Sequence, residues 1–323
     1  MHALVTGATG TIGNAITREL VARGHTVRAL VRDVARASAV VPAGVELVPG
    51  DITDPASLPS ACKGADVVFH AAGTPEGWQR DPHAFDRINR QGTVNVVAAA
   101  REAGVPRVVY TSTMDVFRPD ADGVLREDQI DPAPKPTVYE QSKQDAMRAI
   151  DGFLAEGMDI VQLNPAATYG PSPSPTGMSE FFEKLLRGQA PMLPPGGCAV
   201  AYVDRVGTAH VAAAERGDSG EQYLLACGYA TLRELAELAL DGSGKRVPPT
   251  GPPWLLKALA GVSEPVAKLF GVRPLVPKGA LAFFGWQVRV DSSKAQRELG
   301  YEPMPLADGV ANAVADIRAR LGR

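Results

Sequence analysis

The sequence has few cysteines and histidines and no strong excess of charge of either sign. Only three cysteines, Cys62, Cys198 and Cys227, occur among 323 residues, and neither they nor the five histidines show the spacing of a metal site. The formal net charge is −3, which provides no broad basic surface for nucleic acid. We therefore expect no metal site and no nucleic-acid partner.

Long apolar runs are also missing. No run is long enough to span a bilayer, and no charged segment with an apolar core precedes the first predicted strand near residue 3. These absences predict no secretory signal and no stable membrane insertion, so we expect a cytoplasmic protein. Hydrophobic residues make up 45% of the chain, and its length suits one large α/β domain with a smaller lobe.

What the sequence does contain is a glycine-rich turn close to its start. A short apolar run at residues 3–5 is followed by Gly7, Gly10 and Gly13 and then by apolar residues at helical spacing. Glycine lets the backbone turn tightly beside a pyrophosphate, and the N–H groups and dipole of the new helix stabilise the phosphate charge. The spacing is Gly-x-x-Gly-x-x-Gly rather than the Gly-x-Gly-x-x-Gly of classical dehydrogenases. The pattern predicts a dinucleotide site.

The second predicted strand, residues 26–31, ends at Arg32. In dinucleotide-binding folds an acidic residue at this point accepts from the 2′-hydroxyl of NAD, whereas an arginine suits the 2′-phosphate of NADP. Arg32, with Arg36 about one helical turn later, favours NADP(H) as the cofactor. Asp33 lies between them, which leaves NAD(H) as the alternative.

Strand and helix patterns alternate through the first half of the chain. Repeated β-α units predict an α/β fold with a doubly wound parallel sheet, which we assign to a cofactor-binding domain over residues 1–170. Beyond the first two strands, we predict strands at residues 45–48, 66–70, 107–111 and 159–163, and helices that start at Asp54, cover about 82–103 and run over 139–156.

The second half is expected to be different. Residues 171–323 are predicted to form mostly a smaller substrate-binding lobe, with one strand near 221–227 that returns to the main sheet. Residues 170–197 are rich in proline, glycine and serine and are predicted to be long substrate-binding loops. Thr231 begins a capping box that opens a helix. The apolar stretch 252–270 is interpreted as a packing helix, as a wall of a hydrophobic pocket, or as a membrane-surface anchor.

Tyr139 and Lys143 lie four residues apart, on one face of a predicted helix. A neighbouring ammonium stabilises the tyrosine anion, so that the hydroxyl can exchange protons near neutral pH, and the same lysine can donate to the nicotinamide ribose. Three hydroxyl residues, Thr111, Ser112 and Thr113, follow a predicted strand at the sheet edge where ligands bind. A hydroxyl there can bind a substrate carbonyl beside the tyrosine.

In this order the motifs resemble those of the extended short-chain dehydrogenase/reductases, and more narrowly the dihydroflavonol-4-reductases, cinnamoyl-CoA reductases and 3β-hydroxysteroid dehydrogenases. The resemblance implies a Rossmann-type sheet with a smaller C-terminal substrate-binding lobe. It covers nearly the whole chain, and the matching stretches are residues 6–13, 50–54, 68–72, 89–95, 110–113, 139–143, 164–171, 202–204, 291–295 and 299–303.

The resemblance implies roles for the matching residues. Tyr139 is the implied acid/base and Lys143 its electrostatic partner. Thr113 is the implied carbonyl-binding hydroxyl, with Ser112 as second choice, although Thr113 departs from the usual serine and Met114-Asp115 replace smaller residues. With the glycine turn and the two arginines included, the residues expected to bind the cofactor are Gly7, Thr9, Gly10, Thr11, Ile12, Gly13, Arg32, Arg36, Asp51, Ile52, Ala71, Ala72, Gly73, Thr111, Tyr139, Lys143, Asn164 and Pro165.

Proteins of this kind follow two main chemistries. One interconverts an alcohol and a carbonyl with NADP(H), and the other epimerises or dehydrates nucleotide sugars with an NAD that is regenerated in place. The sugar-nucleotide type usually carries an arginine just before the stretch matched by residues 202–204, where this chain has no cation. We therefore interpret the chain as an NADP-dependent oxidoreductase acting on a small, largely apolar substrate.

Alternatives remain at this point. An NAD-dependent nucleotide-sugar epimerase or dehydratase is the first, with Arg187 or Arg205 as a clamp for the diphosphate. A nucleotide-sensing regulator is the second, disfavoured because Tyr139 and Lys143 are both present. The resemblance also suggests a homodimer formed through the helices at 82–103 and 139–156.

Overall fold

The structure is a computed structural model that describes residues 1–77, 79, 81–270 and 287–322. Residues 271–286 of the expected substrate lobe lie outside the described residues. Within the described ranges the strands are β1 (His2–Thr6), β2 (Thr26–Val31), β3 (Glu46–Pro49), β4 (Val67–His70), β5 (Arg107–Thr111), β6 (Val124–Leu125), β7 (Asp159–Pro165), β8 (Ala167–Tyr169), β9 (Gly197–Tyr202), β10 (Gln222–Leu225), β11 (Gly228–Thr231) and β12 (Arg289–Val290).

The helices alternate with these strands through the first half of the chain. In chain order they are α1 (Thr11–Ala22), α2 (Val34–Ser38), α3 (Leu58–Cys62), α4 (His83–Phe85), α5 (Gly92–Glu102), α6 (Val138–Ala155), α7 (Gly177–Arg187), α8 (Val203–Arg216), α9 (Leu232–Leu240), α10 (Pro253–Phe270), α11 (Ser293–Leu299) and α12 (Leu306–Leu321).

Seven strands form one parallel sheet in the order β10-β7-β5-β4-β1-β2-β3. The predicted doubly wound sheet is confirmed, and so is the return of a late strand, because β10 pairs in parallel with β7. All four residues of β4 are buried, as expected for a strand covered by helices on both faces. The strand order reverses at β1, with β2 and β3 on one side and β4, β5, β7 and β10 on the other. In such sheets, ligands bind at the carboxyl ends of the strands beside this reversal.

The predicted helix over 82–103 is a continuous helical run with one irregularity. Between α4 and α5 the backbone forms a π-helical segment, Asp86–Gln91, which contains the buried Asn89. Single π turns inside helices are frequent at functional sites.

The prediction of long loops over 170–197 was wrong in its middle. Helix α7 lies there, and its residues Met178, Phe182 and Leu185 repeat at helical spacing and are buried. Prolines and serines before the helix, and prolines after it, obscured this short period in the sequence. With α9, α12 and a small sheet in the order β11-β9-β8, α7 encloses a second apolar core.

Two further predictions in the second half are confirmed. Thr231 and Glu234 form the predicted capping box at the start of α9. The apolar stretch 252–270 is helical as α10; it exposes Trp254, and its Leu259 lines the main cleft. In the part of the chain that the structure describes, no helix has both the length and the apolar character needed to cross a membrane.

Candidate active site

A cleft of about 2280 Å³ lies along the carboxyl ends of the parallel strands. Its volume exceeds the roughly 300–1,000 Å³ of an ordinary small-molecule pocket, so it has room for a dinucleotide and a substrate together. Every predicted site residue lines this cleft except Asn164. Asn164 is fully buried in β7, and its side-chain amide has no hydrogen-bond partner among the described residues.

The glycine turn presents an open helix N-terminus to the cleft. Gly7 has a φ of +78°, and a Cβ there would lie 2.7 Å from the backbone nitrogen of Ala72. Gly10 occupies the N-cap position of α1, no side chain caps this end, and the first turn contains no acidic residue. The N–H groups of the first turn are therefore left for an anion, which fits the pyrophosphate of a dinucleotide.

Both arginine and aspartate residues follow β2, and the structure gives them different partners. The carboxylate of Asp33 accepts a hydrogen bond from the backbone N–H of Arg36, and so caps α2. The side chains of Arg32 and Arg36 are exposed at the cleft and make no hydrogen bond or ion pair with another described residue. Two guanidinium groups are thus left for a ligand at this end, whereas Oδ1 of the Asp33 carboxylate is engaged by the helix cap.

Asp51 and Ile52 line the same end of the cleft and are held in place by their neighbours. Oδ1 of Asp51 accepts from the backbone and the hydroxyl of Thr53, at 2.8 and 2.9 Å. The amide of Asn95 donates to the carbonyl of Ile52 at 2.9 Å. This loop is therefore shaped before any ligand binds.

A buried ammonium lies at the centre of the cleft. Nζ of Lys143 donates to the carbonyl of Thr111 at 2.9 Å and lies 5.2 Å from the ring centroid of Tyr110. Burial lowers the pKa of Lys143 to about 8. The amine is therefore held on the strand end, and its proton is easier to remove than that of an exposed lysine.

The start of α6 is fixed by several polar contacts. Thr137 and Glu140 form a capping box two residues before and one residue after Tyr139. The Ser142 hydroxyl donates to the carbonyl of Tyr139 at 2.6 Å and accepts from the amide of Asn89 at 2.9 Å. The π-helical segment thereby anchors the turn that carries Tyr139.

Tyr139 lies near two carboxyl groups in the cleft, those of Asp115 and Glu76. Its pKa is raised well above the usual value, first by burial and then by the carboxyl groups of Asp115 and Glu76, while a hydrogen bond with the hydroxyl of Thr113 opposes the rise. Burial, followed by Asp115 and Glu140, raises the pKa of Glu76 to about 8. The surroundings keep Tyr139 protonated.

Sequence reasoning missed the buried histidines below the site. Nε2 of His210 lies 2.9 Å from the hydroxyl of Thr111, and Nδ1 lies 2.8 Å from the carbonyl of Val206. His70 connects the hydroxyls of Thr6 and Thr93 through distances of 2.7 and 3.0 Å. His70 could have been suspected because it ends a predicted strand, but His210 lies within a helix and gave no signal.

The segment that follows β8 also reaches the glycine turn. The hydroxyl of Thr11 lies 2.8 Å from that of Ser172, so the segment after β8 touches the first turn of α1. Sequence reasoning assigned this segment to the substrate alone.

The two arginines considered as diphosphate clamps lie elsewhere. Arg187 pairs with Glu183 at 2.9 Å and Arg205 with Glu302 at 3.5 Å, and neither arginine lines the cleft.

Comparison with known proteins agrees with this architecture. The model of the NAD dependent epimerase/dehydratase family matches residues 3–226. A protein of Synechocystis sp. named putative dihydroflavonol 4-reductase is 32% identical, over 96% of this chain and 92% of its own length. Sterol demethylase protein B of Methylococcus capsulatus is 30% identical over 99% of both chains. The crystal structure of gox2253 is 33% identical and superimposes with a TM-score of 0.84 over 98% of both chains.

Further curated relatives are named as reductases or dehydrogenases. Solved structures below 25% identity include a UDP-glucose 4-epimerase with NAD and a methylglyoxal/isovaleraldehyde reductase with NADPH, and they show the shared fold alone. With the family model over more than half of the chain, these findings establish that the chain belongs to the NAD dependent epimerase/dehydratase family and is an extended short-chain dehydrogenase/reductase, an enzyme that uses a nicotinamide cofactor.

Proposed function

We propose that the protein is an NADP-dependent reductase that interconverts a carbonyl and a secondary alcohol on a small, largely uncharged substrate. The observation that carries this proposal is the distribution of cationic side chains and carboxyl groups along the cleft. The end at β2 offers Arg32 and Arg36, whereas the end at Tyr139 offers Asp115 and Glu76.

The arginine end supports NADP over NAD. A guanidinium binds a phosphate through charge-assisted, bidentate hydrogen bonds, and two of them beside the ribose position would compensate a 2′-phosphate. Because Oδ1 of Asp33 is engaged at the N-cap of α2, only its second oxygen is left to accept from the 2′-hydroxyl of NAD.

The acidic end argues against a nucleotide sugar. The described cations that line the cleft beyond the arginine end already have partners: Arg87 pairs with Asp81, Lys184 with Glu180, and Lys143 bonds to the carbonyl of Thr111. A diphosphate there would lie near carboxyl groups without a free cation to compensate it.

The residues around Tyr139 suit the donation of a proton. A bound nicotinamide supplies the hydride. Tyr139, which its surroundings keep protonated, gives its proton to the substrate oxygen, and the neighbouring Thr113 hydroxyl is the group that we assign to bind that same oxygen. Lys143 lies on α6 with Tyr139, and its Nζ is held at the end of β5. In this proposal its positive charge stabilises the negative charge that develops on Tyr139.

The test is an assay of NADPH and NADH oxidation with a panel of apolar ketones and aldehydes, repeated on Tyr139→Phe. We expect wild-type turnover with NADPH and a loss of about 10²–10⁴-fold in kcat for the variant, because the proton donor is gone. The Kd for NADPH should change little. Tyr223→Phe, a buried tyrosine outside the cleft, is the matched control.

The same purified protein distinguishes the alternative. Stoichiometric NAD released on denaturation, together with no carbonyl reduction, would favour the epimerase or dehydratase. A Tyr139→Phe enzyme with near-normal kcat would refute the assigned proton donor. Cytoplasmic location and a homodimer formed through α5 and α6 stay proposals; the second is checked by the mass of the protein in solution.

A further inference from the structure

Asp115 is a buried carboxylic acid at the substrate end of the cleft. It is 6% exposed, and its Oδ2 accepts a hydrogen bond from the hydroxyl of Thr113 at 2.6 Å. Its backbone N–H donates to the same hydroxyl oxygen at 3.3 Å. Oδ1 makes no hydrogen bond with any described residue. Among these residues, Thr113 is therefore the side chain that donates a hydrogen bond to this carboxyl group.

This geometry limits what Thr113 can do. A hydroxyl has one proton to donate and two lone pairs to accept with. While Asp115 is a carboxylate, the proton of Thr113 points at it, and the oxygen can meet a substrate only as an acceptor. A substrate carbonyl oxygen is itself an acceptor, so the two would repel. Turning the hydroxyl away would forfeit a charge-assisted hydrogen bond and leave a buried carboxylate without a side-chain donor.

We infer that Asp115 is a positioning residue that sets the direction of the Thr113 hydroxyl. As a carboxylate it holds the hydroxyl proton away from the substrate. As a carboxylic acid it donates its own proton to the Thr113 oxygen across the 2.6 Å contact, and so releases the hydroxyl proton for the substrate carbonyl. This rests on the proposed reductase function and adds a protonation requirement that is separate from Tyr139.

The charges around Asp115 make the acid form accessible. Its pKa is raised to about 6: burial is the largest cause, the hydrogen bond from Thr113 lowers the pKa, Glu140 on α6 raises it and Lys135 lowers it. Lys135 itself pairs with Asp131 at 2.9 Å. From other elements the same carboxyl group faces Glu76, Tyr139 and, on β9, Cys198, whose pKa values its charge raises. Because the proposed role requires the protonated form of Asp115, activity is present below the pKa of Asp115 and is lost as pH rises through that pKa.

The first test needs no turnover. The protein is labelled with aspartate carrying ¹³C in the side-chain carboxyl group and titrated by NMR between about pH 4.5 and 8. We expect one carboxyl signal with a midpoint near 6, absent from Asp115→Asn and retained in Asp308→Asn, an exposed control. Thr113→Val should move that midpoint to higher pH, because a hydrogen bond to the carboxylate is lost. A midpoint that Thr113→Val leaves in place overturns the inference.

The second test follows reduction of a carbonyl that the wild type accepts from the panel. We expect kcat/KM to fall about tenfold per pH unit above the midpoint, as for a single essential acid. Asp115→Asn should lose this fall, because an amide N–H donates to the Thr113 oxygen at every pH. In a protein that already carries Thr113→Val, adding Asp115→Asn should leave the dependence of kcat/KM on pH unchanged.

The outcomes separate the two proposals. A fall in kcat/KM that persists unchanged in Asp115→Asn overturns the positioning role while the reductase stands. If no carbonyl is reduced at any pH, the proposed function fails, and the positioning role, which rests on it, fails as a statement about catalysis even where the NMR titration shows the Asp115–Thr113 coupling.

Discussion

The hydroxyl of Thr111 lies 2.9 Å from Nε2 of His210, which joins the end of β5 to the middle of α8. Since the carbonyl of Thr111 holds Lys143, this contact fixes the strand end on which the ammonium depends. Burial lowers the pKa of His210 to about 4, so the ring is neutral in the folded protein near pH 7.

This relationship predicts a pH dependence of stability. The unfolded chain binds a proton at His210 near pH 6.5, and the folded protein only near pH 4, so the free energy of unfolding falls as pH falls between these values. His210→Gln should remove up to about 1.4 kcal/mol per pH unit of that slope, measured by urea denaturation. Thr111→Val, which keeps the histidine, should retain the slope. If the free energy of unfolding depends on pH equally in the wild type and in His210→Gln, burial does not lower the pKa of His210 as described.

Arg32→Ala should weaken the binding of NADPH more than the binding of NADH. If the guanidinium binds the 2′-phosphate, its removal costs about 1.5–3 kcal/mol, or roughly 10- to 100-fold in Kd for NADPH, with little effect on NADH. The measurement is fluorescence titration of both cofactors. Arg233→Ala, which removes an exposed arginine paired with Glu237, is the control. Equal losses for both cofactors would rule out the phosphate contact.

Gly7→Ala and Gly24→Ala form a matched pair. Both glycines have a φ near +77°, at +78° and +76°, which costs about 1–2 kcal/mol for any other residue. A Cβ at Gly24 meets nothing within 4 Å, whereas at Gly7 it meets the backbone of Ala71 and Ala72 within 2.8 Å. We expect similar strain in both, but a large loss of NADPH affinity only in Gly7→Ala. Tight NADPH binding by Gly7→Ala would show that the turn can shift.

Thr137→Ala and Thr231→Ala each remove a capping box, at the starts of α6 and α9. Each should lower the free energy of unfolding by about 1 kcal/mol, measured by denaturant titration. Only Thr137→Ala should also lower kcat, because the turn it caps carries Tyr139. If kcat falls equally in both variants, the loss reflects general stability rather than the position of Tyr139.

Much of the fold could be predicted from local patterns. The glycine turn, the strand that ends at Arg32, and the run from 107 to 113 each depend on residues close in sequence, so periodicity and turn chemistry predict them. Helix α7 was missed because its short apolar repeat is flanked by prolines and depends for its stability on packing against α9 and α12.

The sequence by itself determined the alternating β-α order, the family and a group of candidate site residues that, except for Asn164, line the cleft, because these follow from local spacing and from motifs in a fixed order. Only the tertiary structure decided what those side chains meet. It engages Asp33 at a helix cap, directs the hydroxyl of Thr113 to Asp115, places Glu76 near Tyr139, and sets His210 under Thr111. These contacts join segments distant in sequence or depend on backbone direction. Burial then changes the pKa values of Asp115, Glu76, Tyr139 and His210 in a way that no spacing along the chain specifies.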